Sequence, residues 1–397
     1  MLNFRKRRIY LDTAAATPVD PSVKNAMSLF MDKNFGNPAS IHREGVAAFE
    51  AIRQARQTVA DILGGRENEV IFTSGGTESN NLAVKGVACK YQKEFKEPGK
   101  ILLGATEHKS LIEPVRQLTE EGWELEFLPV DQWGLIKSED LERSLDQNTA
   151  LVSIGLVNNE IGVIQPLKEL AKVIRRFRKA GKIGQYPLFH TDACQAGRFL
   201  SLNTKYLGVD LLTANGGKIY GPKGVGLLWR RTGVDLEPML TGGGQEYFFR
   251  SGTENVPAVI GFSVALKLAE EIREVENSKL AKLQEYLIDQ VLMDHPAARL
   301  NGSRLKRVAG NVNLSFPGTE AELLVLRLDA AGIACSTGSA CATYGHDQSH
   351  VLKALGLSQK EVDGAVRFSL GRDTTYRDID HLVSVLSEAL EKEKLLG

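Results

Sequence analysis

Short apolar runs alternate with longer amphipathic stretches through the first two-thirds of this 397-residue chain. The short runs are rich in Val, Ile, Leu and Phe, and they have the length expected of buried strands. Between several of them, apolar residues recur every three or four positions, which predicts amphipathic helices such as Glu78–Tyr91 and Leu167–Lys179. The predicted strands are Val70–Thr73, Lys100–Leu103, Leu125–Leu128, Leu151–Val157, Pro187–Thr191, Asp210–Ala214 and Val225–Trp229.

This alternation of strands and helices predicts an α/β fold with a mainly parallel sheet that is flanked by helices. Ligands in such sheets bind beyond the carboxyl ends of the strands, so residues that follow the strands are candidate site residues. We expect a large domain at residues 15–260. A smaller α+β domain is expected at residues 261–397, with residues 1–14 packing nearby.

The pattern of the smaller domain differs from that of the first two-thirds of the chain. A long charged helical region, Val256–Asp294, comes first. The elements predicted after it are strand Asn311–Phe316, helix Glu320–Ala331, strand Ala365–Leu370 and helix Tyr376–Lys394. The loop between helix Glu320–Ala331 and strand Ala365–Leu370 is rich in Gly, Ser and Cys.

The charge balance excludes a strongly basic class of protein. The chain has 49 Lys and Arg residues against 49 Asp and Glu residues, which gives no electrostatic footprint for nucleic acid or for an anionic membrane surface. No segment has the apolar length of a membrane span, and the basic run Arg5–Arg8 lacks the apolar region of a signal peptide. Four cysteines are too few for a disulfide framework, so we expect a cytoplasmic protein with free thiols.

The segment Thr73–Glu78 is a candidate anion site, because it follows a predicted strand and opens a predicted helix. Its glycines allow close approach of a ligand, and the first N–H groups of a helix bind phosphate. Thr77 adds a hydroxyl donor. A glycine turn followed by an ordinary helix cap is the structural alternative.

Two further candidates follow predicted strands. Asp192 ends one strand and points to the ligand crevice, although an acid there also serves as a helix N-cap. Lys218 lies among glycines between two strands, where burial makes the amine a nucleophile suited to a Schiff base. A solvated lysine in a surface turn is the alternative.

Together, a phosphate site, a strand-end Asp and a glycine-flanked Lys form a set suited to pyridoxal 5'-phosphate. The Asp keeps the pyridine nitrogen protonated, so that the ring withdraws electrons, and the Lys holds the aldehyde. Their order along the chain is more specific than any one of them alone.

At this point the sequence resembles the cysteine desulfurases of the NifS/IscS class, which are fold-type I pyridoxal phosphate-dependent enzymes of the class V aminotransferase family. The resemblance covers nearly the whole chain, from Tyr10 to the final helix. The segments that carry it are Phe35–Ser40, Thr73–Asn80, Thr106–Lys109, Val157–Val163, Gly242–Glu246, Arg250–Thr253, Ser339–Cys341 and Arg367–Arg372.

The resemblance implies a role for each matched residue at the cofactor. Lys218 is expected to hold the cofactor aldehyde, Asp192 to contact the pyridine nitrogen, and His108 to stack on the ring and move protons. The other residues expected to bind the cofactor are Asn159 and Gln195 near the phenolic oxygen, and Gly76, Thr77 and Thr253 at the phosphate. Thr253 is expected to come from the partner subunit, which implies a homodimer with a shared active site.

The resemblance also implies the substrate and the nucleophile. Arg367, with Asn37 and Asn159, is expected to bind the carboxylate of L-cysteine, for which a planar guanidinium is well suited. Cys341 lies in a loop of small residues and is expected to attack the substrate sulfur as a thiolate. The expected products are L-alanine and a persulfide on Cys341, with sulfur passing to a scaffold for iron–sulfur cluster assembly or to tRNA thiolation. A small buried thiol is the structural alternative.

Two departures from the family pattern stand out. Asn215 and Gly217 occupy positions where the family has Ser and His near the phosphate, so Asn215 is expected to donate through its amide. This departure motivates a competing hypothesis, a scaffold that has lost the cofactor. An aminotransferase or a selenocysteine lyase of the same fold is also compatible with the sequence.

The cysteine loop raises a further possibility, a metal site. Cys335, Cys341, His346 and His350 are spaced so that they could bind a metal. His350 matches a family position with His or another ring, so transient binding of an iron–sulfur cluster by Cys341 is favoured over a zinc site. Cys89 and Cys194 are interpreted as small core residues.

Overall fold

The computed structural model describes residues 8–181, 184–337 and 348–394. The strands in these residues are β1 Ile9–Tyr10, β2 Val70–Thr73, β3 Lys100–Gly104, β4 Glu124–Leu128, β5 Thr149–Ser153, β6 Leu188–Asp192, β7 Leu211–Asn215, β8 Gly226–Arg230, β9 Arg299–Leu300, β10 Asn311–Ser315, β11 Ile333–Ala334 and β12 Ala365–Ser369. The helices are α1 Pro21–Met31, α2 Arg43–Leu63, α3 Gly76–Phe95, α4 Lys109–Thr119, α5 Ser138–Ser144, α6 Leu167–Ala180, α7 Thr204–Leu207, α8 Val256–Asp294, α9 Ala321–Ala330, α10 His350–Ala354, α11 Gln359–Asp363 and α12 Tyr376–Lys394.

The large sheet has seven strands in the order β2-β8-β7-β6-β5-β3-β4. Strands β3 to β7 run parallel to one another, whereas β8 is antiparallel to both β2 and β7. Every residue of β2, β3 and β5 is buried, because helices cover both faces of the sheet. The predicted α/β fold with a mainly parallel sheet is confirmed.

One predicted strand ends early. Strand β5 stops at Ser153 rather than at Val157. The N–H groups of Ile154 and Leu156 still donate to the carbonyls of His190 and Asp192 in β6. The N–H of Gly155 between them donates 2.8 Å to the Glu107 carboxyl instead. The chain therefore leaves the regular ladder where it begins to line a cavity.

A second core lies around the antiparallel sheet β12-β10-β9. Helix α8 joins the two cores, because Phe262 packs in the core of the large sheet and Leu287 in the second. Ile9 and Leu11 also belong to the second core. The domain limits proposed from the sequence stay a prediction. No helix in the described ranges is long and apolar enough to cross a membrane.

Candidate active site

A cavity of about 290 Å³ opens at the carboxyl ends of the central parallel strands. Two segments from the C-terminal part of the chain complete its wall, since Arg367 of β12 and His350 of α10 line it. The predicted site residues that line this cavity are Gly76, Thr77, His108, Asn159, Asp192, Gln195, Asn215, Lys218 and Arg367.

Three predicted site residues are not found there. Asn37 is exposed away from the cavity, and its side-chain oxygen accepts from the Ala39 N–H at 3.0 Å. Thr253 is exposed as well, in the loop whose Arg250 forms a 2.9 Å ion pair with Glu78 of α3. Cys341 lies outside the described residues. The roles of these three residues remain predictions.

Asp192 is held at the floor of the cavity by two hydrogen bonds. Its Oδ1 accepts from the backbone N–H of Cys194 at 2.8 Å, and its Oδ2 accepts from Asn80 Nδ2 at 2.7 Å. Both donors hold the carboxyl group in a fixed orientation. An acid fixed at this position suits a protonated ring nitrogen.

Lys218 follows β7 in a tight turn, and its Nζ donates to the Ala15 carbonyl at 2.7 Å. Gly216 permits this turn, because a Cβ there would lie 2.6 Å from the Pro222 carbonyl oxygen. Gly217 is different, since the nearest atom to its Cβ would be Lys223 Cγ at 3.4 Å. Packing therefore does not require glycine at position 217.

The first turn of α3 forms the opposite wall, and it has the features of an anion site. A Cβ on Gly76 would lie 2.7 Å from Cys194 Sγ, so only glycine fits against this floor. Thr77 is exposed in the same turn, and the Asn215 amide lies beside it with a buried Oδ1 that has no partner. The N–H groups of the helix start, the Thr77 hydroxyl and the Asn215 amide suit a phosphate.

His108 lies at the N-terminal end of α4, where its Nδ1 caps the helix by accepting from the Ser110 N–H at 3.1 Å. The Ser110 hydroxyl is also 2.8 Å from Nδ1, and Asn80 Nδ2 is 2.8 Å from that hydroxyl. The sequence interpretation missed Asn80 and Ser110. Helical spacing offered a signal for Asn80, because it lies four residues after Gly76 on the same face of α3.

Glu107 is a second carboxyl at the cavity that the sequence interpretation missed. Its Oε1 accepts from the Gly155 N–H at 2.8 Å, and its backbone carbonyl accepts from His350 Nε2 at 2.8 Å. Burial, reinforced by the nearby charge of Asp192, raises the pKa of this carboxyl to about 8. Glu107 is therefore uncharged at neutral pH.

Arg367 is almost completely buried, with 1 % of its surface exposed. Its Nη2 forms a 2.8 Å ion pair with Asp12, and its Nη1 donates to the Asn159 carbonyl at 3.0 Å. These contacts fix the plane of the guanidinium at the cavity wall. A fixed, planar guanidinium is suited to a carboxylate ligand.

The described cysteines do not resemble activated nucleophiles. Burial, and then the charge of Asp192, raises the pKa of the Cys194 thiol, while burial raises the pKa of Cys335 to about 12. Cys194 lines the cavity, and Cys89 is exposed on α3, so the interpretation of Cys89 as a core residue was wrong. Cys89 lies on the outer face of that helix, which turns away from the sheet.

The predicted metal ligands are only partly described. Within residues 8–181, 184–337 and 348–394, no group of three or more His, Cys, Asp or Glu side chains is arranged to hold a metal ion. Cys341 and His346 lie outside these ranges. The metal hypothesis for Cys335, Cys341, His346 and His350 therefore stays a prediction.

Known proteins are similar to this chain along nearly its whole length. The family described as "Aminotransferase class-V" matches residues 9–382. The chain is 41% identical over 393 residues to the cysteine desulfurase IscS of Dictyoglomus turgidum. The aligned region covers 99% of this chain and 97% of that protein.

Solved structures are similar along most of the chain. A NifS-like protein superposes with a TM-score of 0.89 at 33% identity, covering 97% of this chain and 100% of that one. A structure of SspA in complex with cysteine superposes with a TM-score of 0.79 at 32% identity, covering 91% and 98%. The cavity residues fit pyridoxal phosphate, the cofactor of the family. The chain thus belongs to the class-V aminotransferase family and, within it, to the cysteine desulfurases.

Proposed function

We propose that this chain converts L-cysteine to L-alanine and retains the sulfur as a persulfide on Cys341. The observation that carries the proposal is the meeting of Lys218, Asp192, His108 and Arg367 in one cavity. An amine, a carboxylate, an imidazole and a guanidinium face the same space, and each matches one task in amino-acid chemistry.

The cofactor end of the cavity provides binding and electrostatics. Pyridoxal phosphate, when bound, supplies an electron sink for bonds at the substrate's α-carbon. Lys218 provides the amine for covalent attachment, and Asp192 provides a negative charge for a protonated ring nitrogen. The start of α3, with Thr77 and Asn215, provides the donors for the phosphate.

The substrate end selects an α-carboxylate. Arg367 is held by Asp12 and Asn159, so its orientation is set before the substrate arrives. A charged group that is fixed in advance loses little conformational entropy on binding. Arg367 therefore favours amino acids over thiols that lack a carboxylate.

Sulfur transfer needs a thiolate that can reach the substrate. In the proposed step, the Cys341 thiolate attacks the substrate sulfur, and a sulfur–sulfur bond forms. The carbon–sulfur bond of the substrate breaks, its electron pair stays with carbon, and that carbon takes up a proton to give alanine. The raised pKa values of the Cys194 and Cys335 thiols argue against either as the nucleophile.

The test is alanine formation from L-cysteine by the holoenzyme, without an added keto acid. Cys341→Ser is expected to abolish multiple turnover and to keep the cofactor absorbance, because the cavity residues are unchanged. Cys89→Ser is the matched control, since Cys89 is exposed on α3 and outside the cavity. Full turnover in Cys341→Ser would contradict the proposal. A requirement for a keto acid would favour an aminotransferase, and a strong preference for selenocysteine would favour a selenocysteine lyase.

A homodimer is part of the proposal. Val46 and Phe49 are exposed on one face of α2, and the Tyr247 ring lies over Arg56 on the next turns of that face. Phe248 follows Tyr247 in the sequence and is 74% exposed. Apolar side chains grouped in this way are typical of a protein interface. Light scattering is expected to give twice the chain mass, and Phe49→Glu to reduce it.

The same loop supports a shared active site. Arg250 pairs with Glu78 in the first turn of α3, so the segment that carries Thr253 runs close to the phosphate end of the cavity. Thr253 itself is exposed and does not line the cavity of its own chain. Delivery of the sulfur to an iron–sulfur scaffold or to tRNA thiolation, and a cytoplasmic location, complete the proposal.

A further inference from the structure

A continuous series of short hydrogen bonds connects Asp192 to His108. Asn80 Nδ2 lies 2.7 Å from Asp192 Oδ2 and 2.8 Å from Ser110 Oγ. Ser110 Oγ lies 2.8 Å from His108 Nδ1. Asn80 is fully buried and Ser110 is 9% exposed, so the two linking side chains are shielded from bulk water. The series crosses from β6 through α3 to α4.

The chemistry of the end groups fixes the direction of the first two bonds. An ionised carboxylate only accepts, so Asn80 must present its NH₂ group to Asp192. The second hydrogen of that NH₂ group then points to Ser110 Oγ. The opposite amide orientation would place two acceptor oxygens 2.7 Å apart.

The other end of the Asn80 amide bears the energetic cost of this orientation. Its Oδ1 is buried without a hydrogen-bond partner, which is unfavourable for a buried carbonyl. The two bonds donated by Nδ2, one of them to a charged group, offset that cost. The Asn80 side chain is therefore oriented by its donors.

The remaining bonds decide where His108 carries its proton. The Ser110 oxygen accepts from Asn80, which leaves its hydroxyl hydrogen to point to His108 Nδ1. The backbone N–H of Ser110 donates to the same nitrogen at 3.1 Å. A nitrogen that accepts two hydrogen bonds carries no hydrogen, so the ring hydrogen is on Nε2.

We propose that Asn80 and Ser110 are positioning residues that hold His108 as the neutral Nε2–H tautomer and connect its state to Asp192. The catalytic consequence rests on the proposed function, whereas the tautomer does not. A neutral ring adds no positive charge to a cavity that already contains Lys218 and Arg367. The ring also presents a hydrogen at Nε2 rather than a lone pair.

An N-cap of purely structural value is the competing explanation, since His108 accepts from the Ser110 backbone. The two explanations differ in the role of the Ser110 hydroxyl and of Asn80. A structural cap needs only the backbone N–H, which survives in Ser110→Ala. The proposed role needs the hydroxyl, which Ser110→Thr retains.

The experiment is ¹⁵N NMR of protein labelled at histidine nitrogens, both without the cofactor and after addition of pyridoxal phosphate. His108 signals are assigned from their loss in His108→Gln. In the parent protein, Nδ1 is expected to give the signal of an acceptor nitrogen and Nε2 that of an N–H nitrogen. A hydrogen on Nδ1 at neutral pH would overturn the proposal.

The variants test the two linking residues. In Ser110→Ala and Asn80→Ala, the pH at which His108 gains a second proton is expected to rise by about 0.5 to 1 unit, because a bond to the neutral ring is lost. Ser110→Thr is expected to restore the parent value. Equal values in all four proteins would reduce His108 to a structural cap and overturn the proposal.

The charged or titratable groups around the cavity stay the same in these variants. Among the described residues that line the cavity, they are Glu107 before α4, Lys109 within α4, Glu160 after β5, Asp192 at the end of β6, Cys194 after it, Lys218 after β7, His350 in α10 and Arg367 in β12. A shift common to both alanine variants therefore reports the hydrogen-bond series itself.

Ser153→Ala is the matched control. Ser153 Oγ lies 2.8 Å from Nδ1 of the buried His190, so the variant removes the same kind of contact away from the cavity. It is expected to change only the His190 signals. Signals of the predicted tautomer in a protein that makes no alanine would contradict the proposed function and leave this inference standing. Thermal melts of each variant identify any loss of folding.

Discussion

The two ends of the cavity are built in different ways. The cofactor end consists of residues from one sheet and its helices, and Asp192, Asn80 and Ser110 bond directly to one another. The substrate end joins distant segments, because Arg367 of β12 is held by Asp12 and by Asn159 in the loop after β5.

This difference has a functional meaning. The large sheet and its helices position Asp192, Asn80 and Ser110 at the cofactor end, whereas the carboxylate site exists only where segments distant in the chain meet. Two more contacts connect the start of α10 to the cavity wall, since Ser349 Oγ is 2.5 Å from Glu160 and His350 is 2.8 Å from the Glu107 carbonyl. They anchor the chain directly after the segment that contains Cys341. Cofactor binding and substrate binding are therefore expected to respond to different substitutions.

The largest effect is expected at the cofactor end, from Lys218→Ala. The loss of the amine removes both covalent attachment and proton transfer, so alanine formation is expected to fall by at least about 1,000-fold. The absorbance band of the attached cofactor is expected to disappear. Lys223→Ala is the control, because Lys223 is exposed nearby in the chain and outside the cavity. Retained turnover in Lys218→Ala would remove the distinction between the two ends.

A smaller effect with a different signature is expected at the substrate end, from Arg367→Lys. The planar fork is lost while the charge remains, so the KM for L-cysteine is expected to rise about 10- to 100-fold. Steady-state kinetics and a cofactor titration are the measurements, and cofactor affinity is expected to be unchanged. Arg299→Lys is the control in the same small sheet, where Arg299 pairs with Glu361. A drop in cofactor affinity would mean that the two ends are not separable.

Glu107 at the cofactor end is expected to make stability depend on pH. Its pKa is raised to about 8, so the folded protein keeps this proton while the unfolded chain loses it above about pH 4.5. The stabilisation that Glu107 contributes to the free energy of unfolding is fully present below about pH 4.5 and is lost as the pH rises toward 8. Relative to Glu107→Gln, the cofactor-free protein is expected to lose about 2 kcal/mol of unfolding free energy between pH 4.5 and 6. Denaturant unfolding measures this difference, and an equal change in the free energy of unfolding of both proteins between pH 4.5 and 6 would contradict the prediction.

His190 in β6 of the large sheet is expected to give a pH dependence of stability with the opposite sign. It is buried between Ser153 and Thr213, and burial lowers its pKa to about 4 despite the opposing effect of Asp192. The unfolded imidazole binds a proton below about pH 6.5 while the folded one stays neutral, so stability is lost as the pH falls from 6.5 toward 4. Relative to His190→Gln, the loss is expected to be about 1 kcal/mol between pH 6.5 and 5.5. Denaturant unfolding at both pH values measures it.

The cofactor end was more predictable from sequence than the substrate end. Asp192 ends β6 and Lys218 lies three residues after β7, and parallel strands bring their carboxyl ends to one edge, so periodicity alone placed these residues together. The anion site at the start of α3 followed from its glycines. The contact between Asn80 and Asp192 was not predictable, because it depends on how α3 packs across the sheet.

The substrate end depends on contacts between residues far apart in the chain. Arg367 and Asp12 are 355 positions apart, and no local pattern predicts their ion pair. The early end of β5 has a similar cause, since the buried Glu107 carboxyl takes the N–H of Gly155. The strand propensity of nearby residues does not predict such a tertiary contact. Resemblance to a family supplied Arg367 where local physical reasoning did not.

The most direct test of the account is a single-turnover reaction of the holoenzyme with one equivalent of L-cysteine, followed by mass spectrometry of its peptides. The account predicts one alanine per active site and one added sulfur atom, which fragmentation of the peptide locates on Cys341 rather than on Cys335. Alanine formation with the added sulfur on Cys194 or Cys335, or on no cysteine, would contradict it.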